Sequence, residues 1–176
     1  MKTMKQLIGI IVLSVSSIYS VSAQSTDSLQ IQLSRKWMHS KSYALKLAAL
    51  MPEKDYDFKP VPAEMNFTEQ LLHLADNIKW LSSSYLSVSL PKEKKDLKHL
   101  TKAEVLQIVS DAYDIGLAAH KTLSAAQLDE KVSFFAGPMT RRQILILMHD
   151  HQSHHLGQLI VYLRLKNITP PDYVGW

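Results

Sequence analysis

The segment Gln143-Ile-Leu-Ile-Leu-Met-His149-Asp-His151-Gln-Ser-His154-His155-Leu-Gly157-Gln158-Leu-Ile-Val-Tyr162-Leu163 decides how the chain is read. Its apolar residues recur at helical rather than strand period, which predicts one long helix running to about Lys166. Half of the eight histidines fall inside it. His151 and His155 are four residues apart, so a helix stacks their imidazoles on one face. Ile144, Leu147, Met148, Leu159 and Tyr162 share that face at three- and four-residue steps, the stripe a helix turns toward a core. Paired imidazoles on such a stripe suit packing poorly and metal binding well.

Three more helices are expected upstream. One runs from about Ser28 to Ala49 and ends before Met51-Pro52, because proline disfavours helix at the residue before it. The second runs from Asn66 to about Ser87 and the third from Thr101 to about Leu123. Asn66 with Glu69, Thr101 with Glu104 and Thr140 with Gln143 each have capping-box spacing, in which a side chain and a backbone N–H satisfy each other at a helix start. Asn167 is the expected stop of the last helix, and Pro170-Pro171 prevents its continuation. The loop Glu53 to Pro62 carries two prolines and two aromatic residues, which suggests a segment lying ordered along the helices. Phe134 to Pro138 is expected to cover one end of the core. No strand is anticipated, and four amphipathic helices predict an all-α four-helix bundle.

The start of the chain reads as a leader. Met1 to Lys5 is short and basic, Leu7 to Leu13 is apolar apart from Gly9, and Val21-Ser-Ala23 has the form of a signal-peptidase site. The apolar run is too short for the roughly 20 residues of a membrane-spanning helix. The expected organisation is a signal peptide over 1–23 and one domain over 24–176. That implies an exported, periplasmic or extracellular protein with no membrane anchor after cleavage. Loss of Lys2 and Lys5 lowers the formal charge from +4 to +2. The remaining lysines are interspersed with glutamates, and Lys92-Glu-Lys-Lys95 reads as a solvated loop, so nucleic acid is not an expected partner. There is no cysteine, hence neither a disulfide nor a lipid acceptor at the cleavage site.

Two histidines on one helix supply half of a tetrahedral site, and a catalytic site of zinc type takes three protein ligands with one position open. The third candidate is His73, set among Leu71, Leu72 and Leu74 in the second helix, where a lone polar residue would be costly. Asp76, Asp150 and His154 are candidates for orienting an imidazole through its other nitrogen. Gln158, three residues after His155, could hydrogen-bond near an open position. His149 points away from His151 on a helical wheel and is expected at the surface. His39, His99 and His120 have no ligand-like surroundings and are read as structural or solvated. Gly157 costs a helix about 1 kcal/mol relative to alanine, which suggests close approach of another helix within the fold or across a dimer.

These residues together resemble a known family. Trp37-x-x-Ser40, Tyr56-Asp-Phe58-x-Pro60, Glu69-x-x-x-His73, His151-x-x-His154-His155-x-Gly157-Gln158, Tyr162-Leu-Arg164 and Pro170-Pro171 occur in the order found in the DinB/YfiT superfamily. The resemblance implies a four-helix bundle, often dimeric, that binds a divalent metal through three histidines, here His73, His151 and His155. Characterised relatives include bacillithiol S-transferases and mycothiol-dependent maleylpyruvate isomerase, which use the metal to activate a small thiol. Two features depart from that pattern. Leu156 stands where relatives usually carry arginine, and the leader places the chain outside the cytoplasm, where such thiols are made. The reading is therefore a metal-dependent transferase, thiol-transferase-like, or a hydrolase of a small substrate. Zinc and nickel lead among the divalent ions that suit three imidazoles. The competing reading is a non-catalytic protein whose helices the metal staples.

Overall fold

The computed structural model describes residues 30–91 and 100–175. The expected signal peptide, the Lys92–Lys95 cluster and His99 lie outside the described residues. The chain divides into units Met1–Leu33 and Ser34–Trp176. In the first, residues 30–33 are described and are helical. The second carries the rest: α1 at 34–50, a 3-10 turn at Glu53–Asp55, α2 at Phe67–Tyr85, α3 at Lys102–Thr122, the single turn α4 at Ala125–Leu128, β1 at Lys131–Val132, β2 at Met139–Thr140 and α5 at Arg141–Leu165.

This unit is mostly helical, and α2, α3 and α5 begin where the sequence places them, while the expected start near Ser28 lies outside the described residues. Asn66, Thr101 and Thr140 each accept from the backbone three residues on while the partner side chain returns to the cap, so all three capping boxes form. Ser124 with Gln127 makes a fourth and starts α4, which the sequence reading passed over. α5 stops at Leu165, followed by Asn167 at a φ of 58°, the left-handed geometry asparagine tolerates at a helix end. Where no strand is anticipated, Lys131–Val132 pairs antiparallel with Met139–Thr140. The pairing closes the Phe134–Pro138 loop over the helix ends and buries Phe134 against Trp80 and Tyr85. Among the described residues, no helix is long and apolar enough to cross a membrane.

The long helices pack their apolar residues together. Trp37, Ala44 and Leu47 of α1 meet Phe67, Leu71, Leu74 and Ile78 of α2, Val105, Val109, Ala112 and Tyr113 of α3, and Ile144, Met148, Leu159 and Tyr162 of α5 in one core. α2 and α5 run antiparallel: Gln70 bonds to His155 and Tyr162, Ser82 to Met148, and Arg141 to the carbonyl of Tyr85. The loop before α2 is ordered as expected. The hydroxyl of Tyr56 donates to the Ala48 carbonyl at 2.9 Å, and the ring of Phe58 meets that of Tyr162 edge-on.

Among the described residues of the chain, no close approach is found at Gly157. A Cβ on Gly157 would meet nothing within 4 Å; the residue is exposed and lines a cavity of about 310 Å³ with Ser40, Tyr43 and Gln152. Gly116 is the glycine that packing requires, since a Cβ there would stand 2.4 Å from Trp37 Cζ2. The indole cannot move aside, because it is fully buried and its Nε1 donates to the Tyr113 carbonyl at 2.8 Å. Alanine in place of a helical glycine gains about 1 kcal/mol, but overpacking a core costs about 1–3 kcal/mol. Gly116→Ala is therefore expected to lower the unfolding free energy, and Gly157→Ala to raise it by roughly 0.5–1 kcal/mol. Urea denaturation of both variants checks the opposite signs.

Candidate metal centre

α2 and α5 bring His73, His151 and His155 together, each offering a ring nitrogen within 4.8 Å of the others. Ring centroids stand 5.2 Å apart for His73 and His151, 4.7 Å for His73 and His155, and 4.4 Å for His151 and His155. The four-residue spacing on α5 stacks the last two, and antiparallel packing sets His73 opposite them. His155 is buried, and the other two are half-buried.

Hydrogen bonds fix the direction of one imidazole. The hydroxyl of Tyr162 donates to the Met65 carbonyl at 2.7 Å, so it receives the Gln70 amide nitrogen, 3.4 Å away, as acceptor. That leaves the Gln70 amide oxygen facing His155 Nδ1 at 2.6 Å, and Nδ1 must carry the proton. His155 Nε2 is then a bare lone pair, and it lies 3.3 Å from His151 Nε2. Either a proton or a cation has to sit between two such nitrogens. Two nitrogens held at about 2.0–2.1 Å by one tetrahedral ion stand about 3.4 Å apart, so the pair fits a zinc-type ion. His151 Nδ1, on the far side of its ring, is buried without a hydrogen-bond partner. The residues present thus fit a divalent ion of the kind imidazoles prefer.

The other candidates fall differently. Asp76 is exposed and pairs with Lys79 at 3.7 Å, and Asp150 is also exposed, so the observed orienting group is Gln70 rather than a carboxylate. His154 is exposed, its ring edge-on to His155 at 5.0 Å, and Gln158 is half-buried. His149 is corrected outright. It is buried, edge-on to Trp37, with Nε2 2.8 Å from His120 Nε2, because α5 also packs against α1 and α3. His120 is structural, its Nδ1 held 2.7 Å from the Gly116 carbonyl, and His39 is half-buried. Gln70 was missed, although an amide in an apolar run three residues before His73 was its signal. Beside His73 opens a cavity of about 520 Å³ whose walls include Lys59, Glu64, Met65, Leu72 and Asp76.

Comparison with known proteins gives the family and the fold. The family model of the DinB superfamily matches residues 38–159, and the chain belongs to that superfamily. It is 26% identical over 141 residues to the uncharacterized protein YjoA of Bacillus subtilis, covering 76% of this chain and 88% of the relative. The crystal structure of YjoA, described as a DinB-like protein, superposes with a TM-score of 0.67 at 19% identity, over 81% of this chain and 96% of that one. A DinB-like protein from Bacillus cereus gives 0.69 at 17% identity, over 81% and 95%. At such identities the likeness is one of fold.

The histidines also set a pH dependence. Burial pushes His151 and His155 down to about 4, helped by the neighbouring imidazoles, first His73 for His151 and first His151 for His155. Burial, then His120 and Lys36, takes His149 to about 3, and burial lowers His120 as well. The ordinary value is 6.5, so as pH falls the unfolded chain takes up these protons before the folded one does. Stability of the metal-free protein is therefore full above about pH 6.5 and declines through that value until the folded pKa values near 4 are reached. Melting temperatures across this window, with His151→Gln/His155→Gln alongside, should show the decline and its partial flattening in the variant. A wild-type melting temperature that holds constant across the window contradicts neutral burial.

Proposed function

We propose that this chain is an exported metalloprotein of four-helix-bundle form, in which His73, His151 and His155 hold one divalent ion, zinc or nickel. Its activity is that of a metal-dependent transferase, thiol-transferase-like, or a hydrolase acting on a small molecule. The observation that carries this reading is the convergence of three imidazoles, of which His73 lines a cavity and His155 is locked with its Nε2 lone pair toward His151. When bound, such an ion supplies Lewis acidity and lowers the pKa of a thiol or water that it holds.

The chain's own residues do the rest. Gln70 holds His155 in the tautomer that presents Nε2, and Tyr162 holds Gln70 in the amide orientation that does so. Leu72 and Met65 line the cavity with apolar surface, while Lys59, Glu64 and Asp76 give its walls charges of both signs for binding and orienting a polar substrate. The alternative, a metal that staples α2 to α5 without turnover, is favoured by the exposure of Asp76 and Asp150, which leaves neither carboxylate buried beside the rings as a proton acceptor.

Elemental mass spectrometry of protein purified without a histidine tag tests the centre. About one divalent ion per chain is expected, lost in both His73→Ala and His155→Ala while the helical circular dichroism persists. Cobalt substitution then separates the two readings. A sulfur-to-cobalt charge-transfer band on adding a small thiol marks an open position, whereas a spectrum indifferent to thiols and small anions supports the staple.

A further inference from the structure

The two α5 imidazoles are treated unequally. His155 Nδ1 has Gln70, but His151 Nδ1 is buried with nothing to meet it. Because His151 Nε2 faces His155 Nε2, Nδ1 is the ring nitrogen turned away from the site. A second buried polar atom on α2 is also without a partner, the amide oxygen of Asn77. Asn77 follows Gln70 by seven residues, two helical turns, so it occupies the flank of α2 from which Gln70 reaches α5. The contacts of Gln70 with His155 and of Ser82 with Met148 set the antiparallel register, and interpolation between them puts Asn77 level with His151.

Resting on the three-histidine reading above, we infer that Asn77 is the positioning residue for His151, its amide oxygen accepting the Nδ1–H of that ring once Nε2 binds a divalent ion. The chemistry is complementary. An imidazole that ligates through Nε2 must carry its remaining proton on Nδ1, which makes Nδ1 a donor, and the asparagine oxygen is an acceptor only. Side-chain rotation that brings the two atoms within hydrogen-bond distance converts two unpaired atoms into one hydrogen bond. α2 then supplies one ligand, His73, and amide acceptors three residues before and four residues after it, one for each imidazole of α5. No carboxylate takes part, so the first ring of partners around the ion adds no negative charge.

The test is zinc affinity of the purified chain, measured in competition with a chromophoric chelator, together with nitrogen-15 imidazole spectra of the zinc-loaded protein. Asn77→Ala is expected to weaken zinc binding by about 10-fold or more, with an unchanged melting temperature for the metal-free protein and rapid solvent exchange of the His151 Nδ1 proton. Asn77→Asp, which keeps an oxygen at the same place, should restore both the affinity and the slow exchange. Wild-type affinity in Asn77→Ala, with the Nδ1 proton still protected, overturns the assignment and leaves the metal site standing. A wild-type chain that takes up no zinc removes the metal reading and this assignment together, and the His155→Ala control identifies that case.

Discussion

Everything near the candidate centre follows from bringing three imidazoles together at one helix–helix seam, where burial keeps two of them, His151 and His155, toward the neutral form. Two ring nitrogens 3.3 Å apart cannot both carry a proton, and burial disfavours an imidazolium at either His151 or His155. Two bare lone pairs at that distance repel in turn, so either the Nε2–H of a neutral His151 or a cation between the rings satisfies the pair. A seam of leucines does not tolerate this by accident, because each buried polar atom without a partner costs about 1–3 kcal/mol. The cluster is a place where the fold gives up packing in exchange for donor atoms.

The support for that cluster reaches well outside it. The carbonyl of Met65 holds Tyr162, Tyr162 turns Gln70, and Gln70 fixes His155. Met65 belongs to the loop before α2, which is itself ordered by Tyr56 on α1 and by Phe58 against Tyr162. The loop is thus the far end of a directed hydrogen-bond chain. Its prolines and aromatic residues keep the backbone in place where a mobile loop would let the tyrosine, and then the imidazole, drift.

α5 works on two sides at once. His151 and His155 face α2, while His149 and Gln152 face α1 and α3. There Tyr113 donates to Gln152, Gln152 donates to Ser40, and Trp37 lies over Gly116. These contacts hold α5 in rotation about its own axis, and that rotation decides whether His151 and His155 point at His73. The glycine that admits the indole and the histidines that would hold an ion are therefore parts of one constraint.

The sequence by itself determined the helix starts, through four-residue signals of side chain and backbone. It also determined the pairing of His151 with His155, because both depend only on chain-local geometry at 3.6 residues per turn. It pointed to His73 through the cost of a lone polar residue in an apolar run. Tertiary structure decided what local geometry cannot contain. A wheel drawn for one buried face puts His149 in solvent, but α5 is covered on two faces, so that histidine is inside. The need for a missing Cβ at Gly116 is set by the indole of another helix, which no local pattern around that glycine contains. Gln70 became the orienting group in place of Asp76 or Asp150 because antiparallel register, a property of two helices together, chooses which α2 side chain meets His155.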